Sequence, residues 1–236
     1  MLINLNLLKT NHNYRKLYLA QFISYLGSMM TYVAIPYQIF ELTKSSFWVG
    51  VLGSIQLVPL VVFGLMGGVV ADSMNRRKII IRAEMFLACA SGLLCLNAFL
   101  WTPQAWMIFV IAASMSSLNG FHRPAMEALT PQIVEKEHLT QIAALNSFKF
   151  SFCAIFGPAV SGFIIAQFGL KTIYLLDFLS FVASIYFLFQ VKVPDFVAQA
   201  EIQNKWNSIK EGFNYAISRA GPPCLRHRTP RALSAG

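Results

Sequence analysis

The feature that most constrains this chain is an apolar run, Phe47–Val70, which contains no ionisable residue. An α-helix needs about 20 apolar residues to cross a hydrocarbon core of about 30 Å, and this run is long enough. Its side chains do not alternate with a period of two, which excludes a barrel strand, and in lipid a helix satisfies its own backbone polar groups. We therefore predict a membrane-spanning helix here.

Composition extends this prediction to the whole chain. Of its 236 residues 56% are hydrophobic and 12% are charged, about half the charged fraction of an ordinary soluble domain. We predict an all-α membrane protein, a six-transmembrane-helix bundle over residues 17–191. The segment 1–16 precedes it, a linker helix spans 192–219, and 220–236 forms a disordered tail. The predicted spans are Leu17–Phe40, Phe47–Val70, Ile79–Leu100, Gln104–Phe121, Ile142–Ala166 and Thr172–Val191.

Basic residues predict the orientation of the bundle. They concentrate in alternate loops, most densely at Arg76–Arg82, whereas the opposite loops hold only Lys44 and Lys171. Cytoplasmic loops carry the excess of Lys and Arg, so both termini are expected on the cytoplasmic side of a bacterial inner (plasma) membrane. The formal net charge of +9 is thus a topology signal, and we expect no nucleic-acid partner.

Cysteine and histidine positions give no sign of a metal centre or an enzyme. Cys89, Cys95 and Cys153 lie in predicted spans, and Cys224 lies in the tail. None has metal-ligand spacing with a histidine, and buried thiols usually act as small apolar residues. We expect no metal, no cofactor, no disulfide and no catalytic residue.

The loop between the second and third predicted spans carries a motif. Gly68, Asp72, Arg76 and Arg77 stand at the spacing of the loop signature of the major facilitator superfamily, which this stretch resembles. The resemblance implies a conformational latch at the cytoplasmic mouth, since Asp72 is placed to pair with cations or a helix N-terminus. The alternative is that the basic residues only set the orientation; the position of the motif favours the latch.

The motif departs from the family pattern at two positions. Ser73 replaces a basic residue, which removes one expected contact, and Asn75 replaces a glycine. Because Asn tolerates left-handed backbone, we expect the turn to be kept. Gly64 and Gly68 share one helical face and should let a neighbouring helix approach closely.

Two further stretches resemble the drug- and siderophore-efflux branch of the superfamily. The segment around Arg123 and Glu127 resembles its fourth-to-fifth loop, which implies contacts made by these two residues. Gly157-Pro158, followed by Gly162, is similar to the Gly-Pro antiporter signature. Pro158 should bend the helix and Gly162 leave space for the bend; a packing kink without a role in transport is an equal alternative.

The N-terminal residues narrow the resemblance. Leu5–Thr10, Pro36–Ile39 and Trp48–Gly50 are similar to the start of enterobactin exporters, and the resemblance extends over about Leu5–Tyr215. It implies proton-driven efflux of a small molecule, a siderophore in the first instance and a drug or macrolide as the alternative. The expected partners are the substrate, protons and the lipid bilayer.

Three ionisable residues fall within the predicted spans. Asp177 is either a proton or polar cavity site or an aspartate near the outer interface partnered by Lys171 or a backbone group; we favour the second. We expect Glu84 to lie at the interface beside Arg82, and Lys149 to snorkel to the cytoplasmic face.

Transporters of this superfamily have two six-helix halves, and these residues resemble the N-terminal half. The composition changes at Ala220, after which Arg replaces Lys and three prolines occur. We expect a reading-frame change that removed the second half; a genuine half-transporter with a basic tail is the alternative. A homodimer could then supply the missing half, although we favour a chain that does not transport alone.

Overall fold

The computed structural model describes residues 6–73 and 75–192, and the side chains of Asn6, 68–73 and Lys136 are outside that description. All regular elements in the described part are helical. The predicted linker helix and tail lie outside the described residues.

The helices are α1 (Asn6–Thr10), α2 (His12–Thr43), α3 (Ser46–Ser73), α4 (Arg76–Phe99), α5 (Ala105–Ile133), α6 (Leu139–Phe168) and α7 (Leu170–Gln190), with a 3₁₀ turn at Lys136–His138.

Asparagine side chains start two of the long helices. The Oδ1 atom of Asn11 accepts a hydrogen bond from the Tyr14 N–H at 2.9 Å, and that of Asn75 accepts from the Lys78 N–H at 3.3 Å. Each bond satisfies one of the free donors at a helix N-terminus. Asn75 has φ −62° and ψ 107°, so the predicted left-handed backbone is wrong: this residue keeps the turn as an N-cap.

The long helices pack in an order that differs from their order in the chain. α3 packs on α5, α5 on α4, α4 on α7, α7 on α2, and α2 on α6. The largest buried cluster joins α2, α4, α5 and α7, with Ile39, Leu94 and Ile108 fully buried. α2, α4, α5 and α7 therefore form the centre of the bundle, and α3 and α6 lie at its sides.

Glycines on both helices bring the backbones of α3 and α5 close together. A Cβ on Gly120 would lie 2.8 Å from the Gly64 nitrogen, and a Cβ on Gly67 would meet the Gly120 carbonyl oxygen. Pro124 has no N–H to bond that oxygen within α5, so the Gly120 carbonyl is free to face Gly67. Gly64 therefore takes part in the close approach through its backbone nitrogen, whereas a Cβ on Gly64 itself would meet only open space; Gly68 lies outside the described side chains.

Much of the outer surface is apolar. Leu57, Val58 and Leu65 on α3 are 59%, 62% and 62% exposed, far more apolar surface than one soluble helix usually shows. Four helices in the described part are long and apolar enough to cross a membrane, which makes the chain a multi-pass membrane protein. They are Ser46–Gly67, Arg76–Phe99, Leu139–Phe168 and Leu170–Gln190.

Helix α5 is longer than the span predicted for it. It continues from Ala105 to Ile133, so Arg123 and Glu127 lie on a helix, and their predicted place in a loop is wrong. Pro124 and Pro131 sit inside this helix without ending it. Their missing hydrogen bonds concern single carbonyl groups, and packing against α3 and α4 holds the segment helical.

Candidate functional site

A cavity of about 440 Å³ lies among α2, α3, α5 and α6. One face of α2 supplies much of its polar wall. The α2 side chains on it recur every three or four residues, which places them on a single face of the helix. They are Gln21, Ser24, Tyr25, Ser28, Thr31, Tyr32 and Ile35. Sequence reasoning missed these residues, although polar groups at this spacing within an apolar run are a readable signal.

The second half of α5 supplies most of the ionisable groups. Asn119, His122, Arg123 and Glu127 line the cavity because α5 does not end at Phe121. These positions again recur at three- and four-residue intervals. The cavity therefore has cationic, anionic and amide groups on one wall.

Lys149 is the ionisable group that α6 contributes. It is only 3% exposed, so the prediction that it snorkels to the surface is wrong. Its ammonium group donates to Gln21 Oε1, and to Asn146 Oδ1 at 3.1 Å, and lies 4.9 Å from the centre of the Phe150 ring. In the described part of the chain no carboxylate lies within 4.0 Å of it. Lys149 is a buried cation held by neutral acceptors.

Aromatic and aliphatic side chains complete the wall of the cavity. Tyr25 packs edge-on against Phe150, with ring centres 5.0 Å apart, and Phe181 closes the side towards α7. Such a wall offers flat apolar contact area to a ligand with aromatic rings. The aliphatic residues Leu57 and Leu60 come from α3.

Asp177 lies in the protein interior, outside the cavity lining. It is fully buried, and its Oδ2 atom accepts hydrogen bonds from Thr31 on α2 and Ser91 on α4, each at 2.8 Å. The predicted partner is wrong, since the Lys171 nitrogen lies over the Phe99 ring at 4.8 Å. Asp177 instead ties three helices together through one oxygen.

Arg76 and Arg77 of the loop motif bind backbone carbonyls at one end of the bundle. Arg76 donates to Ala128 O of α5 at 2.8 Å, and Arg77 donates to Phe189 O at 2.8 Å and Leu188 O at 3.3 Å. The carbonyls that Arg77 binds belong to the last turn of α7, where intrahelical donors run out and cations are favoured. Gly68 and Asp72 fall in the last turns of α3, and the side chain of Asp72 is outside the description.

The Gly157–Gly162 segment is where α6 approaches α2. A Cβ on Gly157 would crowd Met29, whose Cα would be 3.5 Å away. One turn later the Ser161 hydroxyl donates to Met30 O at 3.0 Å. Gly162 faces open space. Gly157 is thus the residue of this segment that permits close packing.

Glu84 is the position where sequence reasoning was furthest from the structure. It is 0% exposed and lies 3.4 Å from His122, through its Oε1 atom and the ring Nε2. The predicted interfacial position is wrong because residues two apart on a helix face opposite sides: Arg82 is exposed and Glu84 faces inward. No group of three or more metal-ligating side chains occurs among the described residues.

Long apolar helices around a polar-lined cavity define the class of polytopic membrane transport proteins. A family model described as "Transmembrane secretion effector" matches residues 8–221. The chain belongs to this family of the major facilitator superfamily, which confirms the superfamily predicted from the loop motif.

Curated relatives include exporters of two kinds. The chain is 30% identical over 174 residues to macrolide efflux protein A of Streptococcus pyogenes, covering 74% of this chain and 43% of the relative. It is 33% identical over 170 residues to enterobactin exporter EntS of Shigella boydii, covering 71% and 40%. For EntS of Escherichia coli O1:K1 the identity is 32% with the same coverage. The chain spans less than half the length of these relatives.

Proposed function

We propose that this chain forms the N-terminal, six-span half of a proton-coupled exporter, and that its substrate is an anionic, oxygen-rich aromatic molecule of the catecholate siderophore class. The observation that carries the proposal is Lys149, a buried cation in the cavity wall for which the described residues offer no carboxylate partner. A buried charge is unfavourable unless it is paired. An anionic ligand would provide the missing pair.

The proposed arrangement has six spans, both termini in the cytoplasm, and a bacterial inner-membrane location. Four helices have the length and hydropathy of a membrane span. The other two proposed spans, α2 and α5, carry much of the polar cavity lining, and these polar side chains lower their hydropathy. Asn13 near the start of α2 and Lys192 after α7 bond to each other, as an even number of crossings requires. The concentration of basic residues at this end supports its cytoplasmic position.

The latch is proposed to act at this cytoplasmic end. Arg76 and Arg77 connect the start of α4 with α5 and α7, so movement of α4 against either of these helices would have to break contacts there. Gly68 and Asp72 enter this proposal through the sequence motif alone. Arg123, Glu127, Gly157, Pro158 and Gly162 are proposed as cavity and packing positions of the same half.

A macrolide or other drug is the alternative substrate. The apolar and aromatic part of the cavity wall favours it, because a large ligand with little charge needs contact area more than a cation. The alternative gives no role to Lys149. The anionic substrate and the drug can therefore be distinguished by measuring whether binding of each ligand depends on Lys149.

The experiment measures equilibrium binding of 2,3-dihydroxybenzoate, its neutral amide and erythromycin to the purified chain in lipid nanodiscs. We expect the anion to bind more tightly than the amide, and Lys149→Gln to weaken binding of the anion about tenfold or more, as loss of one charge-assisted hydrogen bond implies. The matched control is Lys171→Gln, which removes the same charge at a nitrogen that lies over Phe99.

Equal binding of the anion to the Lys149→Gln variant and the unsubstituted chain would overturn the anionic substrate. Erythromycin binding that does not depend on Lys149, without binding of the anion, would establish the alternative.

A further inference from the structure

The buried carboxyl group of Glu84 has no role in the cavity described above. Glu84 lies on the inner face of α4 and is 0% exposed. Its Oε1 atom lies 3.4 Å from His122 Nε2 and 3.5 Å from the Ser24 hydroxyl, whereas Oε2 has no hydrogen-bond partner among the described residues. A buried carboxylate with one empty oxygen is costly. A bound proton or a nearby cation would stabilise such a group.

His122 connects this carboxyl group to the cavity. Its side chain is 15% exposed and lines the cavity, while its Nε2 atom is buried without a hydrogen bond. One ring therefore touches both the open cavity and the enclosed carboxyl group. Imidazole is the side chain best suited to exchange protons near neutral pH.

The other ionisable groups on the helices around Glu84 and His122 either line the cavity or lie farther along the bundle. Arg123 and Glu127 on α5 and Lys149 on α6 line the cavity, as does the Tyr25 phenol of α2. Asp177 on α7 packs against α4 at Ser91, about two turns from Glu84. In the described part of the chain no Lys or Arg nitrogen lies within 4.0 Å of the Glu84 carboxyl group, so the only cation at that distance would be a protonated His122.

We propose that Glu84 and His122 form a proton-binding pair at the cavity, an imidazolium and carboxylate at neutral pH that takes up one further proton when the pH falls. The imidazolium Nε2–H bond breaks as an O–H bond forms on the carboxylate, and a hydronium ion of the cavity water then protonates the neutral ring and becomes a water molecule. The net change is one proton bound, with no other bond altered. The inference deepens the proposed proton coupling and rests on it for its biological meaning only.

The test is pH-difference infrared spectroscopy of the purified chain in lipid nanodiscs between about pH 8 and pH 5, the range in which histidine changes charge. The unsubstituted chain should show a protonated-carboxyl stretching band that grows as the pH falls, and Glu84→Gln should lose it. Glu41→Gln is the control: it replaces a carboxyl group that is 45% exposed and paired with Lys44 at 2.8 Å, outside the cavity lining, and should leave the Glu84 band in place.

A second variant tests the pair rather than the carboxyl group alone. In His122→Gln the buried carboxyl group has no cation beside it and should hold its proton throughout. The band should then be present at every pH and absent from the difference spectrum. Circular dichroism checks that each variant is folded.

Two results would overturn the inference: a pH-dependent band that is unchanged by Glu84→Gln, or one that is unchanged by His122→Gln. Neither measurement involves a substrate. An intact band in a protein that binds no substrate would therefore count against the proposed function and leave the proton site standing.

Discussion

At the scale of single residues, Asp177 should act as a hydrogen-bond acceptor. Thr31 and Ser91 both donate to its Oδ2 atom, so one oxygen serves two helices. Asp177→Asn keeps such an oxygen, whereas Asp177→Ala removes it from both hydroxyls, although the Ser91 hydroxyl also lies 3.2 Å from the Tyr174 carbonyl oxygen. Side-chain hydrogen bonds between membrane helices contribute about 0.6–1.7 kcal/mol each. We expect Asp177→Ala to lower the free energy of unfolding by about 1–3 kcal/mol and Asp177→Asn by less than about 1 kcal/mol.

Unfolding of the purified variants in mixed micelles would measure this difference. Ser114→Ala is a control, because the Ser114 hydroxyl is exposed and bonds only within its own helix. If Asp177→Asn were as destabilising as Asp177→Ala, the negative charge would matter more than the acceptor, and Asp177 would regain its place as a candidate proton site.

The ionisable residues also show where sequence reasoning fails. The apolar runs indicate that Glu84, Lys149 and Asp177 lie near helices, but their partners are in other helices. The contacts Glu84–His122 and Thr31–Asp177 join residues far apart in the chain. A helical-face count would have placed Arg82 and Glu84 on opposite sides. The partner of an inward residue requires the packing order of the helices, which no single sequence supplies.

At the scale of helices, the α3–α5 crossing should depend on Gly120. A Cβ there would lie 2.8–2.9 Å from the Gly64 nitrogen and from the carbonyl carbon and Cβ of Phe63. Since backbone atoms cannot rotate away, Gly120→Ala should push the two helices apart and lower the melting temperature. Gly162→Ala is the matched control, because nothing lies within 4 Å of a Cβ at that position.

Thermal unfolding in detergent measures the melting temperatures of the Gly120→Ala and Gly162→Ala variants. Alanine favours helix over glycine by about 1 kcal/mol, so Gly162→Ala should be neutral or stabilising. The same gain at Gly120 should be outweighed by the clash. Equal melting temperatures for both variants would show that α3 is free to move relative to α5.

Helix positions were predictable to the extent that apolarity marks them. The second predicted span, Phe47–Val70, lies within α3, and the break at Gln167–Lys171 contains Gly169, whose φ of 80° separates α6 from α7. The end of α5 was not predictable from apolarity. Residues 122–133 mix polar and apolar side chains and contain two prolines, and they stay helical because they face the cavity and pack on neighbouring helices.

At the scale of the whole molecule, the bundle has a central group of helices and two sparsely covered side helices. In an apolar 18-residue stretch of Arg76–Phe99 half of the residues are buried inside the molecule, against 6% in that of Ser46–Gly67 and 22% in that of Leu139–Phe168. Lipid can cover such apolar faces, and so can a second bundle. Both α3 and α6 also border the cavity, so a partner bundle lying on them would complete its wall.

The final prediction is that residues 1–236, taken alone as a monomer, do not transport. Alternating access requires two six-helix bundles that rock about a site between them, and one bundle has nothing to move against. Proteoliposomes that hold about one copy each should therefore show no uptake of 2,3-dihydroxybenzoate when a proton gradient is imposed.

A homodimer is geometrically possible, because two copies with an even number of spans insert with the same orientation, as the two halves of a complete transporter do. The way in which the uptake rate depends on the amount of protein per vesicle distinguishes a transporting monomer from a transporting homodimer. A rate that rises with the square of the density at low density would establish a transporting dimer. A rate proportional to density in vesicles with single copies would show that one bundle suffices and would refute the prediction. The Lys149→Gln variant distinguishes transport through the cavity from leakage, since leakage would not depend on this residue.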